Sequence, residues 1–245
     1  MAKPKHEYIY GINPCFEVVR SGKRSVKEAY LNETAANNPR LKKLSHFLKS
    51  REIPIERVDK HRLFQLSTST EHQGAVLKAS PYAYVSFDDL PKSERLILLD
   101  NVEDPHNIGA ILRSAEIFGF RSVLLPIKGS PDVYPSVVKV SAGASEYLNI
   151  TKECTASTYV RKAKALGYTV IALDGEGDVD LNTLENEAME KVLLVVGGEG
   201  KSVSKSILSA ADRVVRIEQK GKINSLNASI AAGIAMFVLR FSPQG

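Results

Sequence analysis

The rhythm of apolar positions changes once along the chain. Between residues 7 and 80, short strand-like and helical patterns take turns. Tyr8-Ile9-Tyr10 opens the ordered part. Pro14 to Ser21 predicts a helix that stops at Gly22. Val26 to Leu31 predicts a strand. Leu41, Leu44, Phe47 and Leu48 recur at helical spacing, so 39–50 is expected to be an amphipathic helix with a basic outer face. Ile55 to Val58 predicts a strand, His61 to Leu66 a helix and Gly74 to Lys78 a closing strand. Together these predict a small α/β module over 1–80. Residues 81–94 hold two prolines and acidic turns, and are expected to be a linker.

From residue 95 the apolar runs become continuous. Leu96 to Leu99 predicts a strand buried on both faces. A helix over Gly109 to Phe118 and a strand over Ser122 to Leu125 follow. Next come a helix over Thr158 to Leu166 and strands over Thr169 to Leu173 and Val192 to Val196. A helix over Ser202 to Ala210, a strand over Arg213 to Ile217 and a helix over Ser225 to Leu239 complete the pattern. This alternation predicts a domain over 95–245, an open parallel sheet with helices on both faces.

Composition adds exclusions. Of 245 residues, 43% are hydrophobic and 25% charged, which excludes a disordered or collagen-like chain. The longest apolar-rich stretch, Ala228 to Leu239, falls short of the roughly 20 residues a membrane helix needs. The first residues carry no apolar leader segment. A soluble cytoplasmic protein with no membrane partner is expected. Cys15 and Cys154 stand far apart with no C-x-x-C, and the five histidines show no ligand spacing. No metal is expected.

Charge separates the two parts. Residues 1–64 carry 14 Lys and Arg against 7 Asp and Glu, whereas 95–245 carry 17 of each. A basic module beside a neutral one points to a polyanion, because neutralising phosphates drives such contacts. Arg20, Lys23, Arg24, Lys42 and Lys43 are the candidate RNA contacts, on charge alone.

Three loops follow strands in the second part. The first is Asp100 to Gly109. Read alone, Asn107 caps a helix and Arg113 is a solvated helix residue. The alternative is that both face a ligand at the strand end, where open α/β sheets bind. The second is Gly197-Gly198-Glu199-Gly200. It permits close backbone approach but lacks the first glycine of a Walker loop, since Val195 stands there. The third runs from Lys220 to Ser229, with Asn224 or Ser225 as the expected helix cap.

Taken together, D-P-H-N-I-G-A-I-L-R-S-A-E-I-F-G at 104–119, G-G-E-G at 197–200 and S-L-N-A-S at 225–229 resemble the SpoU (TrmH) family of RNA 2′-O-ribose methyltransferases, of the SPOUT superfamily. Tyr10-Gly-Ile-Asn-Pro14 and Glu71-His-Gln-Gly74 look like the N-terminal module of its bacterial RlmB-type subgroup. That subgroup methylates a guanosine in the peptidyl-transferase P loop of 23S large-subunit rRNA. The resemblance implies a C-terminal SPOUT domain with a trefoil knot, a small RNA-binding N-terminal α/β module and a homodimer. It implies S-adenosylmethionine (AdoMet) as methyl donor. Its catalytic positions map to Asn107, Arg113, Glu199, Ser225 and Asn227. Its cofactor positions map to Gly197, Gly198, Gly200, Ile217, Leu226 and Asn227. The family gives Arg113 the hydroxyl proton, but a guanidinium has no acceptor, so alkoxide or phosphate binding suits it better. One departure stands out: family members often carry I-P-M where this chain has Ile217-Glu218-Gln219. A tRNA-directed enzyme and a non-catalytic rRNA-binding assembly factor are the alternative readings.

Overall fold

The computed structural model describes residues 5–34, 38–90, 93–185, 187, 189–198, 200, 202–223 and 225–240. Glu199 and the cap candidate Asn224 lie outside the described residues. The chain divides into two compact units. One comprises Met1–Ala83 with Val133–Tyr147, and the other Tyr84–Asp132 with Leu148–Gly245. Two features of this division depart from the sequential one expected. Val133–Tyr147 groups with the first unit. Phe87, within the expected linker, is buried in the core of the second.

The first unit contains β1 (Glu7–Tyr10), α1 (Ile12–Ser21), β2 (Val26–Asn32), α2 (Pro39–Ser50), β3 (Ile55–Val58), α3 (Lys60–Ser67) and β4 (Ala75–Ala79). The strand order is β1-β4-β2-β3, with β4 antiparallel to both neighbours and β2 parallel to β3. Alternation sorts the side chains. Tyr10, Tyr30, Val76 and Val58 form a cluster with Leu63 of α3. Ile9, Leu31 and Leu77 are fully buried, as are Val18, Leu44 and Leu48 of α1 and α2. Asn38 caps α2, its side chain accepting from the backbone N–H of Arg40 and Leu41, and Pro39 opens the first turn.

The segment that joins this unit from later in the chain holds α5 (Pro135–Val140) and a 3-10 turn, Ala144–Tyr147. Its anchor is a buried ion network. Arg24 donates to Glu146 at 2.9 and 3.0 Å and to Glu7 at 2.7 Å. Glu146 is fully buried and Arg24 only 5% exposed. Arg24 therefore does not belong among the candidate RNA contacts, because its guanidinium is spent inside the fold. Arg20, Lys23, Lys42 and Lys43 are exposed.

The second unit holds β5 (Arg95–Asp100), α4 (Pro105–Ile117), β6 (Ser122–Leu124), β7 (Asn149–Thr151), α6 (Ala156–Ala165), β8 (Thr169–Leu173) and β9 (Val179–Asp180). It continues with β10 (Val192–Gly197), α7 (Lys205–Leu208), β11 (Arg213–Arg216) and α8 (Ala228–Leu239). Seven strands form one sheet in the order β7-β6-β5-β10-β8-β11-β9, and every pairing is parallel. Leu96, Leu98, Leu193 and Val195 face one core with Tyr159 of α6 and Ile207 of α7. Ile97, Leu99, Leu194 and Val196, at the alternate positions, are buried too. Burial on both faces explains the unbroken apolar runs.

Three boundaries moved for local reasons. α4 begins at Pro105 rather than Gly109, because Asp104 accepts the His106 N–H at 2.9 Å and Pro105 suits the first turn. Asn107 is therefore inside the helix and is not its cap. α7 shrinks to Lys205–Leu208, because residues 202–203 run against the backbone at Gly197. α8 begins after Asn227, which is its cap in place of Asn224 or Ser225.

Candidate functional site

The C-terminal ends of β5, β8 and β10 each lead into a loop containing residues that line one cavity or buttress it. After β5, the Asp100 carboxylate is buried and accepts from the Ser204 N–H at 2.8 Å and the Ser204 hydroxyl at 2.5 Å. This fixes the entry to α7. After β10, two glycines are demanded by close approach. A Cβ on Gly198 would lie 1.9 Å from the Asn101 carbonyl oxygen, and one on Gly197 only 2.5 Å from the Val203 nitrogen. No side chain fits at either place.

The resulting cavity has a volume of about 670 Å³. Gly197, Gly198, Gly200, Ile217, Ser225 and Leu226 all line it. Asp174, Gly175 and Glu176, from the loop after β8, line it as well, and so does Gln219. Asp174, Gly175 and Glu176 were missed in the sequence, whereas Gln219 stood in the Ile217-Glu218-Gln219 departure. The signal for the first three was available: D-G-E-G directly follows a predicted strand, at the sheet edge where open α/β sheets bind ligands. The volume lies within the range of about 300–1,000 Å³ usual for small-ligand sites.

Asn107 and Asn227 meet. The Asn227 amide donates to Asn107 Oδ1 at 3.0 Å, while Asn227 Oδ1 accepts from the N–H of Ser229 and Ile230. One side chain thus caps α8 and ties it to the first turn of α4. Asn107 is buried. Asn227 does not line the cavity itself, but its neighbours Leu226 and Ala228 do. Arg113 projects from α4 into solvent and, among the described residues, makes no hydrogen bond or ion pair. It is not a lining residue. Glu218 also stays out of the cavity and lies 3.8 Å from Lys220 on the surface. Among the described residues, no group of three or more His, Cys, Asp or Glu could hold a metal ion. Within the same residues, no helix is long and apolar enough to cross a membrane.

This arrangement defines an α/β protein with a parallel sheet and a ligand cavity at the strand ends. Solved structures share the fold. A crystal structure of an RNA 2′-O ribose methyltransferase superposes with a TM-score of 0.82 at 24% identity, covering 96% of this chain and 88% of that one. The SpoU methyltransferase AviRb from Streptomyces viridochromogenes, in complex with AdoMet, gives 0.79 at 22% identity, covering 96% and 89%. The sequence model of the SpoU rRNA methylase family matches residues 94–237, and that for RNA 2′-O ribose methyltransferase substrate binding matches 8–85. An uncharacterised tRNA/rRNA methyltransferase of Mycolicibacterium gilvum is 33% identical over 94% of this chain and 74% of its own length. YacO of Bacillus subtilis, provisionally assigned as a TrmH-family tRNA/rRNA methyltransferase, is 28% identical over 95% and 94%. The chain belongs to the SpoU family of RNA methyltransferases.

Proposed function

We propose that the protein transfers a methyl group from AdoMet to a ribose 2′-hydroxyl in large-subunit rRNA, at a guanosine of the peptidyl-transferase P loop. The observation that carries this reading is the glycine-walled cavity beside the Asn107–Asn227 pair. Its lining fits a nucleoside-bearing donor. Gly197 and Gly198 bring main chain to the wall, Ile217 and Leu226 offer apolar surface, and Asp174 and Glu176 offer acceptors. A Cβ at Gly175 would meet nothing within 4 Å, so the wall there is open to a ligand. When bound, AdoMet supplies a methyl on a sulfonium, ready for in-line displacement.

This chain's residues then have orienting and electrostatic work. A ribose hydroxyl is a poor nucleophile at neutral pH, so alignment and charge stabilisation matter most. Arg113, whose guanidinium makes no hydrogen bond or ion pair among the described residues, holds a substrate phosphate or stabilises the developing alkoxide. Asn107 and Asn227 keep α4 and α8 in register, so that Arg113 and Ser225 keep their relative positions. Glu199 completes the set by resemblance.

The remaining parts of the reading are a trefoil knot, a homodimer and an RNA-binding first unit. Backbone crossings without room for a Cβ, at Gly198 and at Gly177 against Val215, support tight threading of the C-terminal part. Ile230, Ile234 and Phe237 of α8 form an exposed apolar stripe, with Ile117 of α4 also exposed, and this supports a second copy as its cover. The charge of residues 1–64 supports rRNA contact by the first unit.

The test is transfer of labelled methyl from AdoMet to unmodified large-subunit rRNA, with unmodified tRNA alongside and Arg113→Ala as control. Label at one alkali-resistant guanosine of rRNA, lost in the control, is expected. Label on tRNA alone would keep the chemistry and overturn the substrate. RNA binding without label on either would favour the assembly-factor alternative.

A further inference from the structure

Two motifs of the first unit are not used by the catalytic reading: Tyr10-Gly-Ile-Asn-Pro14 and Glu71-His-Gln-Gly74. The fold brings them together. Gln73 Oε1 accepts the Ile12 N–H at 3.1 Å, and the Gly11 N–H reaches the Ala75 carbonyl at 3.0 Å. Gln73 is exposed and holds a left-handed backbone at φ +54, a conformation uncommon for a residue other than glycine. With its oxygen committed, Gln73 has its NH₂ left to donate. Arg40, at the start of α2, donates to Asn13 Oδ1 at 2.7 Å. Its guanidinium is thereby pinned beside the same turn.

A fourth residue arrives from far along the chain. Lys139 of α5 belongs to this unit, and its side chain lies across Gly11. A Cβ on Gly11, whose φ is +100, would sit 2.9 Å from Lys139 Nζ. Glycine is therefore what admits the lysine. The ammonium is half-buried and, among the described residues, makes no hydrogen bond or ion pair. Burial is the main cause that lowers its pKa, and Arg40 adds repulsion. Glu71 and the Cys15 thiol oppose this from nearby, but Glu71 closes no ion pair with it. His72, on the same turn, has its own pKa lowered by burial, then by Lys60 and Lys139.

Lys139 and Arg40 repel each other across this turn, and the half-desolvated Lys139 ammonium feels Glu71 nearby without closing an ion pair to it, so its donors are left to an outside acceptor. An anion at this turn would meet both cations and the Gln73 amide. We infer that Lys139, Arg40, Gln73 and Asn13 form a site for a backbone phosphodiester of the substrate RNA. The inference rests on the reading of this protein as an RNA methyltransferase and deepens it. The substrate-binding unit is not finished by residues 8–85; it borrows Lys139 from within the stretch that matches the methylase model.

The test compares wild type with Lys139→Met, Lys139→Arg and Arg40→Gln in the full chain. Binding to unmodified large-subunit rRNA and tRNA transcripts is measured over a salt series, together with AdoMet affinity and melting temperature. Lys139→Met is expected to weaken RNA binding about tenfold and to flatten the logarithmic salt slope by about 0.7. AdoMet affinity should not change, and the melting temperature should hold or rise, because a half-buried charge that closes no ion pair is removed. Lys139→Arg should keep most of the binding, and Arg40→Gln should resemble Lys139→Met.

Unchanged RNA affinity and slope in Lys139→Met, with wild-type methylation of the same RNA intact, would overturn this site alone. A lowered melting temperature with AdoMet affinity lost as well would assign Lys139 a structural role and also overturn it. Competition by millimolar inorganic phosphate would point to a free-phosphate site and overturn the RNA assignment. Failure of the wild type to bind or methylate either transcript would overturn the enzymatic reading beneath it.

Discussion

The two units solve the problem of recognition with opposite materials. The second unit builds part of its cavity wall from main chain: Gly197 and Gly198 cannot accept a Cβ, and the fixed carboxylate of Asp100 serves a turn. The first unit carries the chain's basic excess on exposed side chains, and spends one buried arginine on holding itself together. A site made of backbone fails all at once when its geometry is disturbed. A surface made of charges loses affinity in small, salt-dependent steps.

The sharpest break in this contrast is Gly198→Ala. The added carbon would overlap the Asn101 carbonyl at 1.9 Å, so the loops must separate. A loss of about 3 kcal/mol or more and no measurable AdoMet binding are expected, read by thermal melting and calorimetric titration. Retained binding would mean that the loops yield easily.

The next effect is in the other unit. Glu146→Gln leaves Arg24 with a weakened partner at a position that is 5% exposed, and about 3 kcal/mol of stability should be lost. Replacing Arg24, Glu7 and Glu146 together with apolar residues should cost less than the single change. AdoMet titration should still show binding in the single variant if the second unit stands by its own core. Loss of that binding would contradict the division.

Asn227 separates capping from bridging. Asn227→Ala removes the α8 cap and the bond to Asn107, and about 2 kcal/mol should go. Asn227→Ser keeps a capping oxygen and should recover about half. Equal methyl-transfer rates in the two variants would show that the Asn107 bond has no catalytic weight. The smallest effect is expected for Lys42→Gln with Lys43→Gln. Both residues are exposed, and RNA affinity should fall about threefold, with a shallower salt dependence in a filter-binding series.

Legibility followed the same division. Parallel strands buried on both faces announce themselves, so Leu96 to Leu99 and Val192 to Val196 were found within a residue or two of their ends. The glycine motifs led to the cavity because close approach leaves few residue choices. Helix α5 was not seen, because its V-V-K-V run is β-branched and reads equally as a strand. The turn that follows it is tied to the first unit by Glu146, a fully buried acid that looks like any surface glutamate in the sequence. Arg24 misled for the mirror reason, since a count of basic residues cannot tell a solvated guanidinium from a buried one. Asp174 and Glu176 line the cavity, and their signal was one of position, D-G-E-G directly after a predicted strand, rather than of residue type.

The central claim is that the cavity at the strand ends holds the methyl donor. Leu226→Trp tests it most directly, because Leu226 lines the cavity and is 40% exposed, so a larger ring fills the space without disturbing a core. Calorimetric titration of AdoMet should give one site per chain for the wild type. In a Leu226→Trp protein of unchanged melting temperature, binding should be at least tenfold weaker. Equal affinity in the two proteins would place the donor elsewhere and contradict the account.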